Sequence, residues 1–258
     1  LQGREVFLPT ERTKGRVGSR HESPIRVLLC GMGEALMHRR AAEWIKRIRT
    51  EIGVRVSVVT NGLLLREKTL HALHDADVSF VFVSMPGIDR ESYSKVMKID
   101  FDQVMTNIEL TQRILPGRLQ INASIPDGAN FSEEDVLRFW EQRNIPVGGL
   151  SRCHNRGGFL EDATITGSFT PSSKFCGILA RHHFIAWDGQ VLSCCHDLHA
   201  EAVFGHVAND DFLEIAAKKT LMISEGPDFK ICRKCNDRER CHAQQILGIP
   251  KMQPSKSV

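Results

Sequence analysis

The sequence lacks any long apolar run, and it lacks a strong excess of either charge. No stretch approaches the roughly 18 apolar residues of a membrane span, and the opening LQGREVFLPTERTKGR has no apolar segment typical of a secretory signal. The 34 basic and 31 acidic residues among 258 give a formal charge of +3, without the clustered basic footprint of a nucleic-acid-binding protein. We therefore expect a cytoplasmic protein without nucleic-acid or membrane partners.

Cysteine is scarce in the first half of the chain, where Cys30 stands alone, and dense in the second half. Clustered cysteines in a reducing compartment bind metal more often than they form disulfides. Disulfides and small buried thiols without chemistry remain the alternatives. The uneven distribution indicates one local site, built from the cysteines after residue 150: Cys153, Cys176, Cys194, Cys195, Cys232, Cys235 and Cys241.

The sharpest local pattern in that group is Cys232-x2-Cys235-x5-Cys241. A C-x2-C pair presents two thiolates to one metal from a tight turn, so further ligands must come from elsewhere in the chain. Four thiolates suit either tetrahedral zinc or an iron–sulfur cluster, and the spacing alone does not separate the two.

Residues 26–150 alternate between short β-branched runs and longer amphipathic stretches, which is typical of parallel βα units in an α/β fold, either an open sheet or a barrel. In a barrel of such units the active site lies at the carboxyl ends of the strands. The predicted strands are 25–31, 54–62, 78–84, 119–125 and 146–151, and the predicted helices are 38–53, 67–76, 90–98, 101–115 and 132–144.

The pattern changes after about residue 165. Residues 182–195 predict a β-hairpin with Asp188-Gly189 at its turn, and 210–219 predict a short helix. The segment 229–241 is polar and has little apolar periodicity, so we expect it to need a bound metal to hold its shape. The eleven histidines are assigned no role.

Several motifs resemble those of radical S-adenosylmethionine (SAM) enzymes with a C-terminal SPASM or twitch domain. In the barrel region they are GMGEALMH (31–38), TNGLLL (60–65) and VSMPGIDRESYSKVMK (83–98). The tail matches more specifically, with Cys176-x12-Gly189-x4-Cys194 followed by the 232–241 pattern. The resemblance implies a partial (β/α)6 TIM-like barrel over 1–165 and a small cysteine-rich β-hairpin/helix domain over 166–258.

By that resemblance, one auxiliary [4Fe–4S] cluster is held by Cys176, Cys194, Cys232 and Cys235. Cys195 and Cys241 are left as substitute ligands or as thiols near the substrate, so the fourth ligand stays open among Cys194, Cys195 and Cys241. The SPASM pattern continues four positions after Cys241, where this chain has Gln245, and no cysteine follows. One cluster is therefore expected rather than two. Cys30 and Cys153 are expected to be structural.

The resemblance also implies a SAM site at the strand ends. Met32, Gly33 and Glu34 match the GGE motif, which binds the methionyl amino group, although a simple tight turn would read the same way. Arg152, with Arg156 near it, is predicted to hold a polar substrate through its guanidinium group. Contacts to the ribose and carboxylate of SAM are implied for Ser84, Asn122 and Ser124.

The family's defining C-x3-C-x2-C loop, which holds the SAM-cleaving [4Fe–4S] cluster, is absent, since no cysteine precedes Cys30. A chain that begins with Leu1 favours truncation, so we expect the first strand, this loop and its second cluster on a missing N-terminal segment. The alternative is true loss of the loop in a degenerate paralogue. The chain as given is then expected to be inactive alone.

For the complete protein the resemblance implies an enzyme that abstracts hydrogen with a 5′-deoxyadenosyl radical, fed by a flavodoxin- or ferredoxin-type reductant. The expected reaction is oxidation or epimerisation of a polar small molecule of sugar or aminocyclitol type, with Cys241, Cys195 and Arg152 as catalytic candidates. The alternatives are modification of a peptide substrate, or a non-catalytic iron–sulfur or zinc-binding protein on the same scaffold.

Overall fold

In a computed structural model of the chain, the described residues are 25–162 and 175–237, with the backbone of 4–7. Within these residues the strands form one sheet in the order β6-β5-β4-β3-β2-β1-β7-β8-β9. The strands are β1 (Arg4–Phe7), β2 (Arg26–Leu29), β3 (Arg55–Thr60), β4 (Phe80–Pro86), β5 (Leu119–Ile125), β6 (Val147–Arg152), β7 (His182–Ile185), β8 (Gln190–Leu192) and β9 (Val203–His206).

Strands β2 to β6 are parallel neighbours in chain order, so the predicted parallel α/β architecture is confirmed. The five strands are those that the sequence predicts, with ends shifted by at most two residues. The predicted barrel region and the predicted hairpin share this single sheet. The expected domain boundary near residue 165 lies outside the described residues.

Helices cover one face of the parallel strands and leave the other face for a ligand. Val58, Val81 and Ile121 point to the helix side, where they form the main core with helix residues such as Trp140. This packing follows from the period of two in a strand. The helices are α1 (Ala41–Arg47), α2 (Glu67–Asp75), α3 (Arg90–Met97), α4 (Phe101–Ile114), α5 (Glu133–Glu141), α6 (Gly177–Arg181), α7 (Phe212–Glu225) and α8 (Lys230–Lys234).

The helix ends follow the predicted signals. Ser132 and Asp135 form a reciprocal capping box at the start of α5, with Ser132 N donating to Asp135 Oδ2 over 2.8 Å. The predicted helix 38–53 is shorter, because after α1 the chain continues as a wide turn, Ile48–Ile52, and ends at Gly53 with φ +76°.

The antiparallel part of the sheet contains the predicted hairpin. Strands β7 and β8 pair on either side of the Asp188-Gly189 turn, where Gly189 has φ +97° and Gln190 N donates to Asp188 Oδ1 over 3.1 Å. Strand β1 runs antiparallel to both β2 and β7 and joins the two halves of the sheet. Sequence reasoning missed β1, β9, α6 and α8, each four or five residues long, because such short elements carry no readable period.

Among the described residues, no helix has the length and apolarity to cross a membrane.

Candidate functional site

Glu34 joins the carboxyl ends of the first two parallel strands. Its Oε2 accepts hydrogen bonds from Thr60 Oγ1 over 3.0 Å and from Asn61 N over 2.9 Å, while Oε1 accepts one from Leu36 N over 3.1 Å. A carboxylate has about four acceptor positions, so this one is largely committed to protein N–H and O–H groups. The observed role of Glu34 is to fix the loop after β3, and its predicted contact to SAM stays a prediction.

The loop after β3, residues 60–63, is also held from the helix side. Asn107 in α4 donates from Nδ2 to the carbonyls of Gly62 over 2.9 Å and Leu63 over 3.2 Å. The hydroxyl of Tyr93 lies 3.5 Å from the Asn61 carbonyl, and burial raises the pKa of Tyr93, which keeps this O–H protonated as a donor. The sequence did not identify Asn107 or Tyr93, because the bonds join segments more than 30 positions apart.

The predicted ribose- and carboxylate-binding residues lie together on the face away from the helices. Ser84 pairs with Asn122, and Asn122 pairs with Gly149, so these three occupy neighbouring positions on three strands. Ser124 lies two residues further along β5, opposite Ser151. The structure thus brings Ser84, Asn122 and Ser124 together, while their contacts to SAM remain predictions.

The same face encloses a cavity of about 270 Å³. Its lining mixes guanidinium, hydroxyl and amide groups with two aromatic rings: Arg26, Val27, Leu28, Arg55, Ser57, Phe80, Phe82 and Asn122. Space here depends on small residues in β6, since a Cβ at Gly148 would lie 2.9 Å from Phe82 Cε1 and one at Gly149 would lie 3.1 Å from Asn122 Oδ1.

Arg152 is the last residue of β6, the last parallel strand, and Cys153 follows it. Arg152 is exposed and pairs with Ile125, which points into the helix-side core, so its side chain lies on the outer face of the sheet. Cys153 turns inward, with Sγ 3.6 Å from Ser124 Oγ, and burial raises the pKa of its thiol. The structure therefore does not bring Arg152 to the polar inner face, and its predicted role stays a prediction.

Four of the predicted ligands converge in the C-terminal region from three separate segments. Cys176 precedes α6, Cys194 follows β8, and Cys232 and Cys235 lie in and after α8. Burial first, and then the nearby Cys176 and Cys232, raise the pKa of the Cys194 thiol. Burial first, then Asp237 and the same two cysteines, raise the pKa of Cys235 to about 12. The four thiols are thus close enough to act on one another electrostatically.

No disulfide joins any two of the described cysteines. In tetrahedral zinc sites the Zn–S bond of about 2.3 Å places sulfur atoms about 3.8 Å apart. Within residues 25–162 and 175–237, the side chains that place three possible metal-ligand atoms within 4.8 Å of one another are His154, His196 and Asp237. This group contains no cysteine. Among the described residues, the thiols are therefore not gathered at the spacing of a tetrahedral zinc site.

Cys195 packs against a small apolar cluster of Phe184, Ala186 and Leu192, and its Sγ lies 3.8 Å from His196 Nδ1. Among the three candidates for the fourth ligand, Cys194 interacts with the thiols of Cys176 and Cys232, Cys195 packs on this apolar cluster, and Cys241 lies outside the described residues.

The cysteine-rich region docks on the loop that follows β6. Asn155 Nδ2 donates to the Lys234 carbonyl over 2.7 Å, and Asn236 Oδ1 accepts from Asn155 N over 2.6 Å. A Cβ on Gly158 would lie 2.9 Å from Lys234 Cδ, so this close approach requires glycine. These contacts hold residues 230–237 against the loop after β6, and the predicted need of segment 229–241 for a bound metal stays a prediction.

His154, His196 and Asp237 form a polar group beside the thiols. Asp237 Oδ2 lies 3.0 Å from His196 Nε2 and 3.6 Å from His154 Nε2, and the two imidazole centroids are 4.3 Å apart. Burial, followed by the charge of His196, lowers the pKa of His154 to about 4, so its ring is neutral. The sequence assigned these histidines no role, because nothing local links positions 154, 196 and 237.

The chain matches two known protein-family profiles. The profile of the radical SAM superfamily matches residues 1–139, and that of the SPASM iron–sulfur cluster-binding domain matches residues 176–236. The molybdenum cofactor biosynthesis protein moc-5 of Caenorhabditis elegans is 30% identical over 125 residues, 47% of this chain and 20% of that protein. The chain thus matches a fifth of the length of this curated relative.

Two solved structures are similar in fold. The structure of native anSMEcpe with bound AdoMet has a TM-score of 0.50 at 15% identity, over 73% of this chain and 64% of that chain. The structure of BtrN in complex with AdoMet and 2-DOIA has a TM-score of 0.49 at 18% identity, over 82% and 72%.

Proposed function

The chain belongs to the radical SAM superfamily, and on that premise we propose that it forms the SAM-binding barrel and the auxiliary-cluster domain of an enzyme acting on a polar small molecule. The superfamily and the SPASM domain imply SAM and [4Fe–4S] clusters as cofactors. The observation that carries the proposal is the convergence of Cys176, Cys194, Cys232 and Cys235 beside the loop that ends the last parallel strand.

The four thiols fit an auxiliary cluster. They come from three segments of the fold. Cys232 and Cys235 are buried, and Cys176 and Cys194 are partly buried. Their donor set is all sulfur, as [4Fe–4S] clusters require. The cysteines would place an electron-transfer centre within the domain that docks on the barrel through Asn155 and Asn236.

The strand ends fit SAM. Gly31 and Gly33 have φ of +112° and +120°, so the 31–34 loop exposes backbone groups in a conformation that favours glycine. Ser84, Asn122 and Ser124 offer hydroxyl and amide groups on the adjoining inner face. SAM is the source of the carbon radical that abstracts a substrate hydrogen in this superfamily. The chain's residues bind and orient it, and the rigid Glu34–Thr60 contact holds the loop in register.

The residues of this chain do not fit the SAM-cleaving cluster. That cluster needs three thiolates from one loop, and in this sequence Cys153 is the nearest cysteine to Cys30.

The polar inner face near the carboxyl ends of the strands supports a polar small molecule as the substrate. Ser84, Asn122 and Ser124 offer hydroxyl and amide groups there, which suit the hydroxyl groups of a sugar or aminocyclitol. The cavity of about 270 Å³ lies towards the amino ends, where Arg26 and Arg55 begin β2 and β3. Oxidation or epimerisation is the corresponding reaction class, with Cys195 as a candidate thiol.

Reconstitution tests the cofactor assignment. The 258-residue chain, purified anaerobically with iron and sulfide, is expected to bind about four irons and to show absorbance near 400 nm that is lost on oxidation. A colourless protein with one zinc would contradict the proposal. For the reaction, the measurement is 5′-deoxyadenosine formation by the complete protein with sugars and aminocyclitols, and with peptides as the competing class.

A further inference from the structure

The polar group of His154, His196 and Asp237 connects three parts of the molecule around the thiols. His154 follows β6 of the barrel, His196 follows Cys194 by two positions, and Asp237 follows Cys235 by two positions. The Asp237 side chain is 11% exposed and that of His196 is 6% exposed. A carboxylate so far removed from water needs polar partners around it. His196 Nε2 lies at hydrogen-bond distance, 3.0 Å from Asp237 Oδ2, and His154 Nε2 lies slightly further away, at 3.6 Å.

Two of these residues, His196 and Asp237, contact the thiols through their backbone N–H groups. Asp237 N–H donates to Cys235 Sγ over 3.4 Å, and the backbone N–H of His196 donates to the Cys194 thiol. The contact between His196 Nε2 and Asp237 Oδ2 therefore ties together the two turns that carry these N–H···S bonds. Hydrogen bonds and charges near the sulfur atoms set the reduction potential of a cluster.

Metal binding by the three side chains is the competing explanation, and the hydrogen bonds of His154 argue against it. Arg156 N–H donates to His154 Nδ1 over 3.3 Å, so the neutral ring carries its proton on Nε2, the atom that faces Asp237. A histidine that binds a metal through Nε2 carries its proton on Nδ1 and donates it to an acceptor. In this structure His154 Nδ1 accepts a hydrogen bond instead, so the proton lies on Nε2 and points towards the carboxylate of Asp237.

We propose that Asp237, held between His154 and His196, is a positioning residue that sets the reduction potential of the auxiliary cluster. This inference rests on the proposed function, because it assumes that Cys194 and Cys235 hold the cluster. The negative charge of Asp237 opposes the addition of an electron, and the His154 Nε2–H donor partly offsets that charge. Since His154 belongs to the barrel, the potential depends on the docking of the barrel loop.

The test is an anaerobic redox titration of the reconstituted 258-residue chain, followed by electron paramagnetic resonance. Asp237→Asn keeps the side-chain size and removes the charge, so the ratio of reduced to oxidised cluster at a fixed potential is expected to rise about tenfold, about 59 mV for a one-electron couple. The matched control is Asp228→Asn, which removes an exposed carboxylate paired with Arg233 and is expected to leave the ratio unchanged.

Two variants at position 154 keep the proposal testable if Asp237→Asn prevents cluster assembly. His154→Leu removes the donor, so the reduced fraction is expected to fall, opposite in sign to Asp237→Asn. His154→Gln restores an N–H donor and is expected to return the ratio towards that of the unchanged chain.

The possible outcomes distinguish the role of Asp237 from the presence of the auxiliary cluster. An unchanged ratio in Asp237→Asn, with four irons bound, would overturn the role of Asp237 and leave the auxiliary cluster intact. An additional metal ion beyond the cluster, lost in the Asp237→Asn and His154→Leu variants, would replace the proposal with a metal site. A chain that binds no iron and sulfide would overturn the cluster assignment and this inference together.

Discussion

Asn107 of helix α4 donates a hydrogen bond from Nδ2 to the carbonyl of Gly62, 45 positions earlier in the chain, over 2.9 Å. The bond is buried, and it holds the loop after β3 from the helix side while Glu34 holds it from the neighbouring strand end. A loop fixed from two sides keeps its geometry without a ligand, as a site on a rigid scaffold requires.

Substitution of Asn107 by Leu is expected to lower the free energy of unfolding by about 2 kcal/mol, because two buried carbonyls lose their donor. Urea denaturation measures this change, and hydrogen exchange over residues 60–63 should increase. Thr106→Ala, one position earlier on the exposed side of the same helix, is the control, and it should leave both measurements close to those of the unchanged chain. Equal effects of the two substitutions would contradict the assigned role.

Substitution of Glu34 by Gln is expected to destabilise the fold by about 2 kcal/mol and to weaken SAM binding, because an amide cannot accept all the hydrogen bonds that the carboxylate accepts. The measurements are urea denaturation and calorimetric titration with SAM. The matched control is Glu43→Gln in α1, an exposed carboxylate that pairs with Arg40, and no measurable change is expected there. Unaltered stability in Glu34→Gln would show that the contacts to Thr60 and Asn61 contribute little.

Substitutions at Gly87 and Gly117 compare two costs of adding a Cβ atom, backbone strain with a steric clash and backbone strain without one. Both have positive φ, +108° and +75°, but a Cβ on Gly87 would meet Ser92 Oγ at 2.1 Å, whereas nothing lies within 4 Å of one on Gly117. Gly117→Ala should cost about 1–2 kcal/mol for the left-handed backbone alone. Gly87→Ala should cost about 1–3 kcal/mol more, since the loop after β4 must shift. Thermal unfolding of the two variants tests the difference.

Cys194→Ser and Cys195→Ser are expected to differ in iron content. Cys194 interacts with the thiols of Cys176 and Cys232, whereas Cys195 packs against the apolar cluster of Phe184, Ala186 and Leu192. After anaerobic reconstitution, Cys194→Ser should lose most of its iron and sulfide, and Cys195→Ser should retain about four irons. The reverse result would assign Cys195 as the ligand.

The stability of the fold should depend on pH through His183. Burial, and then the charge of Lys219, lower the pKa of His183 to about 4, so the folded protein holds this ring neutral. The unfolded chain takes up a proton below a pKa of about 6.5, so stability is present at neutral pH and is lost as the pH falls from 6.5 towards 4. Urea midpoints between pH 7 and 4.5 should fall less steeply for His183→Gln than for the exposed control His71→Gln. Identical slopes would contradict a buried neutral His183.

The parallel strands and their helices were predictable because each carries its own periodic or capping signal. The strand 119–125 was predicted with the observed bounds, and the start of α5 followed from Ser132 and Asp135. Strand β9 and helix α8 were missed, because four or five residues show no period and their stability comes from neighbours.

The candidate site was likewise predictable only in part. The sequence by itself determined the residue types that carry the chemistry: Glu34 at a strand end, and the spacing of Cys232 and Cys235. Only the tertiary structure decided which of Cys194 and Cys195 faces the other thiols, that Arg152 lies on the outer face, and that His154 meets Asp237. The reason is physical: periodicity and spacing act over a few residues, whereas these contacts join segments that are distant in sequence and meet only in the folded chain.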